Sequence, residues 1–238
     1  MIFLFNKFYK PVFYFPLMSL NKKDFIEIEF TGKIKDGDVF DSNVKKELEK
    51  LHAGHNHEVD AKPFVFCIGE GMFVKGVDNF LIGKNIGEYN ISLAPEDAFG
   101  KRDPKEIQMV PLKNFKDSNL NPIPGSVFNF DGRLGRILTV SSGRVIIDFN
   151  NPLAGKSVEY KIKILRKVED LNEKIKSLNE FFFRQDFKFA VKDKKIIIEL
   201  PKGLKQFAEL FKEKYKEIFG LDLEVKEIEE IEEKIWMI

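Results

Sequence analysis

All three histidines of the chain fall within one short segment, His52-Ala53-Gly54-His55-Asn56-His57, and Glu58 follows. Imidazole is a common ligand for transition metals, and His55, His57 and Glu58 could reach one ion. The stretch around them is polar, so the expectation is an exposed loop that picks up metal adventitiously. His52, His55 and His57 are the metal candidates, and no cofactor is expected. Cys67 is the single cysteine. It can form no intramolecular disulfide and no CxxC motif. Its setting, Phe64-Val65-Phe66-Cys67-Ile68, reads as a strand interior holding an inert core thiol. Phenylalanine is the remaining conspicuous resource, with 25 Phe against 5 Tyr and 1 Trp. Phe offers apolar contact area without a polar tip, which suits a binding cup and a core equally.

Elements must position these groups. Asp24 to Lys33 alternates and reads as a strand, and Lys35-Asp36-Gly37-Asp38 turns into a second one at Val39-Phe40-Asp41. A helical patch covers Val44–Leu51. Phe64–Ile68 is the next strand, closed by Gly69 and Gly71. Val74, Val77, Phe80 and Leu81 lie on one face of a helix from Phe73 to Ile82, which Gly83 ends. Tyr89–Leu93 is a strand. From Lys101 to Asn150, short strands (107–110, 127–130, 136–140, 144–149) alternate with Pro and Gly turns, which predicts a small all-β unit. Val158–Val168 alternates as one more strand.

After Glu169 the texture changes again. Leu171, Ile175, Leu178 and Phe182 form a helical stripe. A hairpin follows around Lys192-Asp193-Lys194, then a helix over 204–219 that Gly220 stops, then a strand at 223–228. This order predicts a separate α+β domain. It contains no catalytic motif, and its acidic finish, Glu227 through Glu233, reads as a solvated face. Residues 1–20 are apolar but broken by Lys7, Lys10, Pro11 and Pro16, so neither a membrane span nor a signal peptide is expected. The expectation is an upstream-start segment or a disordered arm, with Met18 an alternative start. The formal net charge of +1 argues against a nucleic-acid or membrane partner.

Three ordered segments resemble a known family. Phe30-Thr31-Gly32 through Asp36-Gly37-Asp38-Val39-Phe40-Asp41-Ser42 is similar to the pattern YTG…DGxxFDSS. Pro63-Phe64-Val65-Phe66-Cys67-Ile68-Gly69, continuing through Gly76, Leu81, Gly83, Gly87-Glu88, Pro95-Glu96 and Ala98-Phe99-Gly100, is similar to PFxFxLG…GE…PExAYG. Val145 through Lys156, containing Asp148-Phe149-Asn150-Asn151-Pro152-Leu153-Ala154-Gly155, is similar to VxVDFNHPLAGK. The chain thus resembles a long-type FKBP peptidyl-prolyl cis-trans isomerase, SlyD-like and of archaeal type, with a chaperone domain inserted in its flap and an extra C-terminal domain. The fold class implied is α+β: an FKBP-like antiparallel sheet wrapped on a short helix, an inserted small β domain and a C-terminal α+β domain. The expected division is an extension at 1–20, the isomerase domain at 21–101 plus 147–168, the insert at 102–146 and the C-terminal domain at 169–238.

The resemblance implies a site and a job. Carried over position by position, the pocket is Phe30, Phe40, Asp41, Phe64, Phe73, Val74, Val77, Phe99 and Tyr160. Its aromatic positions would cup a proline ring, the Val74 N–H would bind a substrate carbonyl, and Asp41 would sit near the twisting amide. Phe66 reads as core. Phe30 and Phe99 stand where the family usually has Tyr, Val77 stands where it often has Trp, and Asn151 replaces His. Reduced activity is therefore expected. The insert would offer a chaperone surface drawn from Ile107, Met109, Val110, Leu112, Phe115, Val127, Phe128 and Phe130, although half of these could instead build its own core. The partners implied are unfolded or nascent polypeptides with X-Pro bonds, and a homodimer through the C-terminal domain is a further expectation. The expected location is the cytoplasm. The alternative function is a largely non-catalytic holdase, with metal bound at the His52–His57 loop.

Overall fold

Alternation of apolar and polar residues builds the central sheet. The computed structural model describes residues 19–51 and 61–228. The histidine loop, the first 18 residues and most of the acidic finish lie outside them. Strand β1 (Phe25–Ile34) buries Ile26, Ile28 and Phe30 on one face. It pairs antiparallel along its whole length with β9 (Val158–Val168), which buries Val158, Tyr160, Ile162 and Ile164 on the same side. The other edge of β1 is shared. β3 (Phe64–Cys67) takes its first half and β2 (Val39–Ser42) its second half. β4 (Glu88–Leu93) closes the far side on β9. Helix α1 (Lys45–Leu51) follows β2, and α2 (Lys75–Leu81) follows β3. Val77 and Leu81 of α2 are buried with the sheet's apolar face in one core.

Asn43 fills the gap between β2 and β3. Its Oδ1 accepts the Phe30 N–H at 2.7 Å and its Nδ2 donates to the Ile28 carbonyl at 2.9 Å. A side-chain amide thus continues the ladder where no strand does.

The small all-β unit forms a second sheet, ordered β5 (Ile107–Pro111), β8 (Arg144–Asp148), β7 (Arg133–Ser141), β6 (Val127–Phe130). Its own core is Phe115, Ile137, Val145 and Ile147. Phe115 comes from α3 (Leu112–Asp117), a helix absent from the sequence-based expectation. β8 runs through Ile147 and Asp148, so the boundary expected between 146 and 147 falls inside a strand. The connectors are tied together. Asn150 Oδ1 accepts the Asp103 N–H at 2.8 Å, and Arg102 pairs with the buried Asp148. Burial acts to raise the Asp148 carboxyl, but bonds from Asn150 and Arg102 outweigh it and hold the group below its usual range. Asn151, the His replacement, accepts the Leu153 N–H at 2.8 Å and so caps its own turn.

The last third is less separate than predicted. Helix α4 (Leu171–Phe183) is capped by Asp170, whose side chain accepts the Glu173 N–H at 2.8 Å. β10 (Phe189–Lys192), β11 (Lys195–Pro201) and β12 (Asp222–Ile228) form a third sheet, with β12 parallel to β11. The helix expected over 204–219 is α5 (Lys205–Glu209) and α6 (Lys212–Phe219). Tight bonds from Leu210 to Phe207 and Phe211 to Ala208 divide them. Phe211 there stacks on Phe182 at 4.1 Å while Leu210 stays exposed. Yet Ile175, Leu178, Ile198 and Tyr215 belong to the same apolar core as β1 and β9. A bulge at the Glu27/Ile28 step sets Val168 opposite Phe25, and Phe25 stacks on Phe219 at 5.8 Å. This face of the C-terminal unit is used within the chain.

Candidate functional site: an aromatic cup

The sheet and α2 bring the expected pocket residues together. The rings form a continuous chain. Phe99 meets Phe40 edge-on at 5.6 Å, Phe40 meets Tyr160 at 5.9 Å, and Tyr160 meets Phe73 at 5.5 Å. Phe73 meets Phe30 at 4.9 Å and Phe64 at 5.8 Å. These are the offset and edge-to-face spacings that aromatic quadrupoles favour. Phe30, Val77 and Tyr160 are buried, while Phe40, Phe64, Phe73, Val74 and Phe99 are half-buried. The first group makes floor and walls, and the second leaves apolar surface for a ligand. Phe66 is fully buried beneath Phe64 and Phe73, as expected of core.

Polar groups at the cup are few. Asp41 is exposed at the residue level, but its apolar surroundings desolvate the carboxyl and push its pKa up, partly offset by the Ser42 N–H. Tyr160 carries the one hydroxyl among the nine residues. Burial, then the charge of Asp41, raises its pKa, so it stays protonated as a donor. Val74 is the N-cap of α2, and its carbonyl accepts from the Val77 and Asp78 N–H groups at 2.9 and 3.1 Å.

Two glycines make the cup possible. Gly32 pairs with Asp41 on one side and Tyr160 on the other. A Cβ there would lie 2.8 Å from Tyr160 Cε1 and 2.9 Å from Phe40 Cζ. Gly76 lets α2 press on the turn before Phe99, since a Cβ would lie 2.6 Å from Leu93 and 2.7 Å from the Asp97 carbonyl. Both stood in the motifs, but their steric role is a tertiary fact that spacing does not carry.

A cleft of about 550 Å3 opens on the sheet's other face, lined by Thr31, Lys33, Glu47, Asn90, Ile91, Ser92, Glu159, Tyr160 and Lys161. Lys33 and Glu159 there pair with each other at 2.7 Å. Tyr160 is the cleft's one aromatic residue, so it holds no cluster of rings like the cup.

The register of the insert sorts the chaperone candidates. Val110 pairs with Val145, and Phe128 pairs with Gly135 beneath Ile147, so Val110, Phe128 and Phe130 face inward. With Leu112 they pack half-buried against a core that contains Phe115, itself 3% exposed. These five belong to the insert's interior, because apolar residues occupy both parities of its strands and packing decides which parity turns in. Ile107, Met109 and Val127 are exposed as expected. Leu120, Ile123, Leu134 and Leu138 join them, with Met109 at 58% and Leu134 at 66%. Leu120 and Ile123 lie outside the strands, and Leu134 and Leu138 lie on β7, whose apolar residues fall on both parities, so the pattern gave no signal for these additions.

Under the cup lies Asp78 of α2, 4% exposed. Desolvation raises its pKa to about 6, against which the Gly69 and Gly71 N–H groups act. The folded protein therefore holds this proton more tightly than the unfolded chain. The penalty is absent well below the carboxyl's ordinary value of 3.8 and complete above about 6. Relative to Asp78→Asn, wild-type stability is expected to fall by about 2 kcal/mol between pH 4 and pH 7. Urea unfolding of both proteins at the two pH values checks this, and a difference that does not change with pH would refute it.

An apolar aromatic cup with a single buried hydroxyl and one carboxyl at its rim defines a class of site. It offers exposed apolar ring surface, and no thiol, amine or aliphatic hydroxyl stands among its nine residues. Comparison with known proteins identifies the family. A family model described as FKBP-type peptidyl-prolyl cis-trans isomerase matches residues 18–116, and one described as the IF domain of FKBP26 matches residues 108–153. The chain is 30% identical over 146 residues to the short-type peptidyl-prolyl cis-trans isomerase of Methanocaldococcus jannaschii, covering 61% of this chain and 92% of that protein. It is 28% identical over 153 residues to the FKBP-type 16 kDa isomerase of Escherichia coli K12, covering 62% and 93%. It is 29% identical over 163 residues to the isomerase SlyD of Helicobacter pylori, covering 67% and 80%. The chain belongs to the FKBP-type peptidyl-prolyl cis-trans isomerase family, an enzyme family, and has SlyD-like relatives.

Proposed function

We propose that the protein accelerates X-Pro isomerisation in unfolded and nascent polypeptides, and that its insert captures those chains. The observation that carries this is the ring chain from Phe99 to Phe64, continuous from the segment after β4 across β2, β9, the loop before α2 and β3. Peptide rotation has a barrier of about 18–20 kcal/mol because planarity carries resonance. The twisted amide is less charge-separated than the planar one, so a dry apolar cup favours it relative to water. In this reading Phe30, Phe40, Phe64, Phe73, Phe99 and Tyr160 hold the proline ring over Val77. The Val74 N–H binds a substrate carbonyl, and Asp41 stands at the rim near the twisting amide. The architecture is long-type and archaeal-like, with an isomerase unit around residues 21–101 and 147–168, an insert near 102–146 and an extra unit from 169. Its expected place of action is the cytoplasm; no helix among the described residues is long and apolar enough to cross a membrane. Exchange between cis and trans in a short X-Pro peptide tests the catalytic claim, and no acceleration over buffer would end it.

Phe99 gives a sharper test. It meets Phe40 edge-to-face without a hydroxyl, where a Tyr would add a donor. A neutral hydrogen bond contributes about 0.5–1.5 kcal/mol, so Phe99→Tyr should raise kcat/KM about two- to tenfold. A rate at or below wild type would mean ring packing, not a missing hydroxyl, limits the activity.

A second reading, a holdase with little catalysis, is favoured by the exposed apolar set on the insert. Suppression of aggregation by a protein that fails the peptide assay would select it. Light scattering decides the homodimer proposed through the C-terminal unit.

A further inference from the structure

The loop Gly69–Met72 joins β3 to α2 and so sets where Phe73 and Val74 stand. Two carboxylates hold it. Asp78 lies close enough to the Gly69 and Gly71 N–H groups for them to favour its charged form, and its Oδ1 has no partner among the described residues. Glu70, with a side chain only 7% exposed, is turned inward, close enough for its charge to act on both Cys67 and Asp78. Two such carboxylates side by side are costly without a cation. The cation comes from 144 residues away: Lys214 of α6 places Nζ 2.7 Å from Glu70 Oε2. Lys214 also donates to Glu217 at 3.2 Å, and Glu217 pairs with Lys23 at 3.1 Å. The same helix ends in Phe219, stacked on Phe25 of β1. Helix α6 is thus pinned to the sheet at one end and reaches the loop with the other.

We propose that the C-terminal unit braces the active-site loop, with Lys214 acting through Glu70 as a positioning residue for the Phe73 ring and the Val74 N–H. This rests on the pocket reading of Phe73 and Val74. The brace explains why a unit without a catalytic motif shares its core with the isomerase sheet rather than hanging on a linker.

The test uses the full chain and a short X-Pro peptide. Lys214→Met, Glu70→Gln, the double variant and Lys214→Arg are compared, with Phe73→Ala as the control for the pocket itself. Lys214→Met and Glu70→Gln should each lower kcat/KM about fivefold, and the double variant should be no worse than the poorer single one. Lys214→Arg should restore activity to within about twofold of wild type, because it keeps the charge and the reach. The amide resonances of Phe73 and Val74 should move in Lys214→Met while that of Ile162 stays. If Lys214→Met melts below the assay temperature, Glu70→Gln is read in its place. Unchanged kcat/KM in the charge variants, or additive losses in the double, overturns the brace, provided Phe73→Ala has lost activity. If Phe73→Ala retains full activity, the pocket reading itself fails.

Discussion

Gly32→Ala is expected to lower kcat/KM on a short X-Pro peptide about tenfold to a hundredfold while the sheet still forms. Gly32 is paired on both sides beside a bulge at the Gly32/Lys33 step, and its φ lies outside the left-handed region, so alanine meets no conformational penalty there. The obstacle is above the strand. The new Cβ would sit 2.8 Å from the Tyr160 ring and 2.9 Å from the Phe40 ring, closer than carbon atoms approach. Overpacking of this kind costs about 1–3 kcal/mol. The rings can escape only away from the strand, into the space a proline would fill. Each 1.4 kcal/mol lost from the transition state is about tenfold in rate. The measurement is kcat/KM beside a thermal melt. A large fall in Tm with intact peptide activity would mean that Phe40 and Tyr160 form core rather than cup.

That glycine marks the limit of what the sequence discloses. The alternation in β1 and β9, the helical face of α2 and the three ordered motifs are local patterns, and local patterns are what a sequence carries plainly. Phe30, Phe40, Phe64, Phe73, Phe99 and Tyr160 could be gathered because their motif positions imply one pocket. Asn43 could not. It replaces a missing strand between β2 and β3, and nothing in its neighbours announces that. Lys214 and Glu70 are separated by 144 residues and lie in unrelated textures, a charged helix and a glycine loop. The insert's two faces were ambiguous for a different reason. Its strands place apolar residues on both parities, as in Val127-Phe128-Asn129-Phe130, so only packing against Phe115 tells inside from outside. The C-terminal unit looked separate because its helix–strand order is self-sufficient. Its docking depends on Phe25, an apolar residue with the same parity as the exposed-face Glu27 and Glu29.

Removal of the insert should separate activity on a short peptide from activity on a refolding protein. Replacing residues 104–147 by a short Gly-Ser turn keeps Asp103 and Asn150, whose side-chain amide bonds hold the connectors side by side. It also keeps Arg102 paired with Asp148. The cup lies wholly outside the deleted segment, and the insert's core of Phe115, Ile137, Val145 and Ile147 is distinct from the main core. Activity on a short peptide should therefore stay within about threefold of wild type, since such a substrate needs only the cup. A refolding protein differs. It must be held near the cup long enough for a rare X-Pro bond to enter, and a second weak contact on the same chain raises its effective concentration there. Loss of that contact should lower catalysed refolding about tenfold to a hundredfold. Met109→Glu combined with Leu134→Glu probes the same step without deletion. Both residues are more than half exposed, so charge there should leave the fold standing while it repels apolar segments. Equal losses on peptide and protein would mean that the insert shapes the cup. Equal retention would mean that the cup finds its substrates unaided.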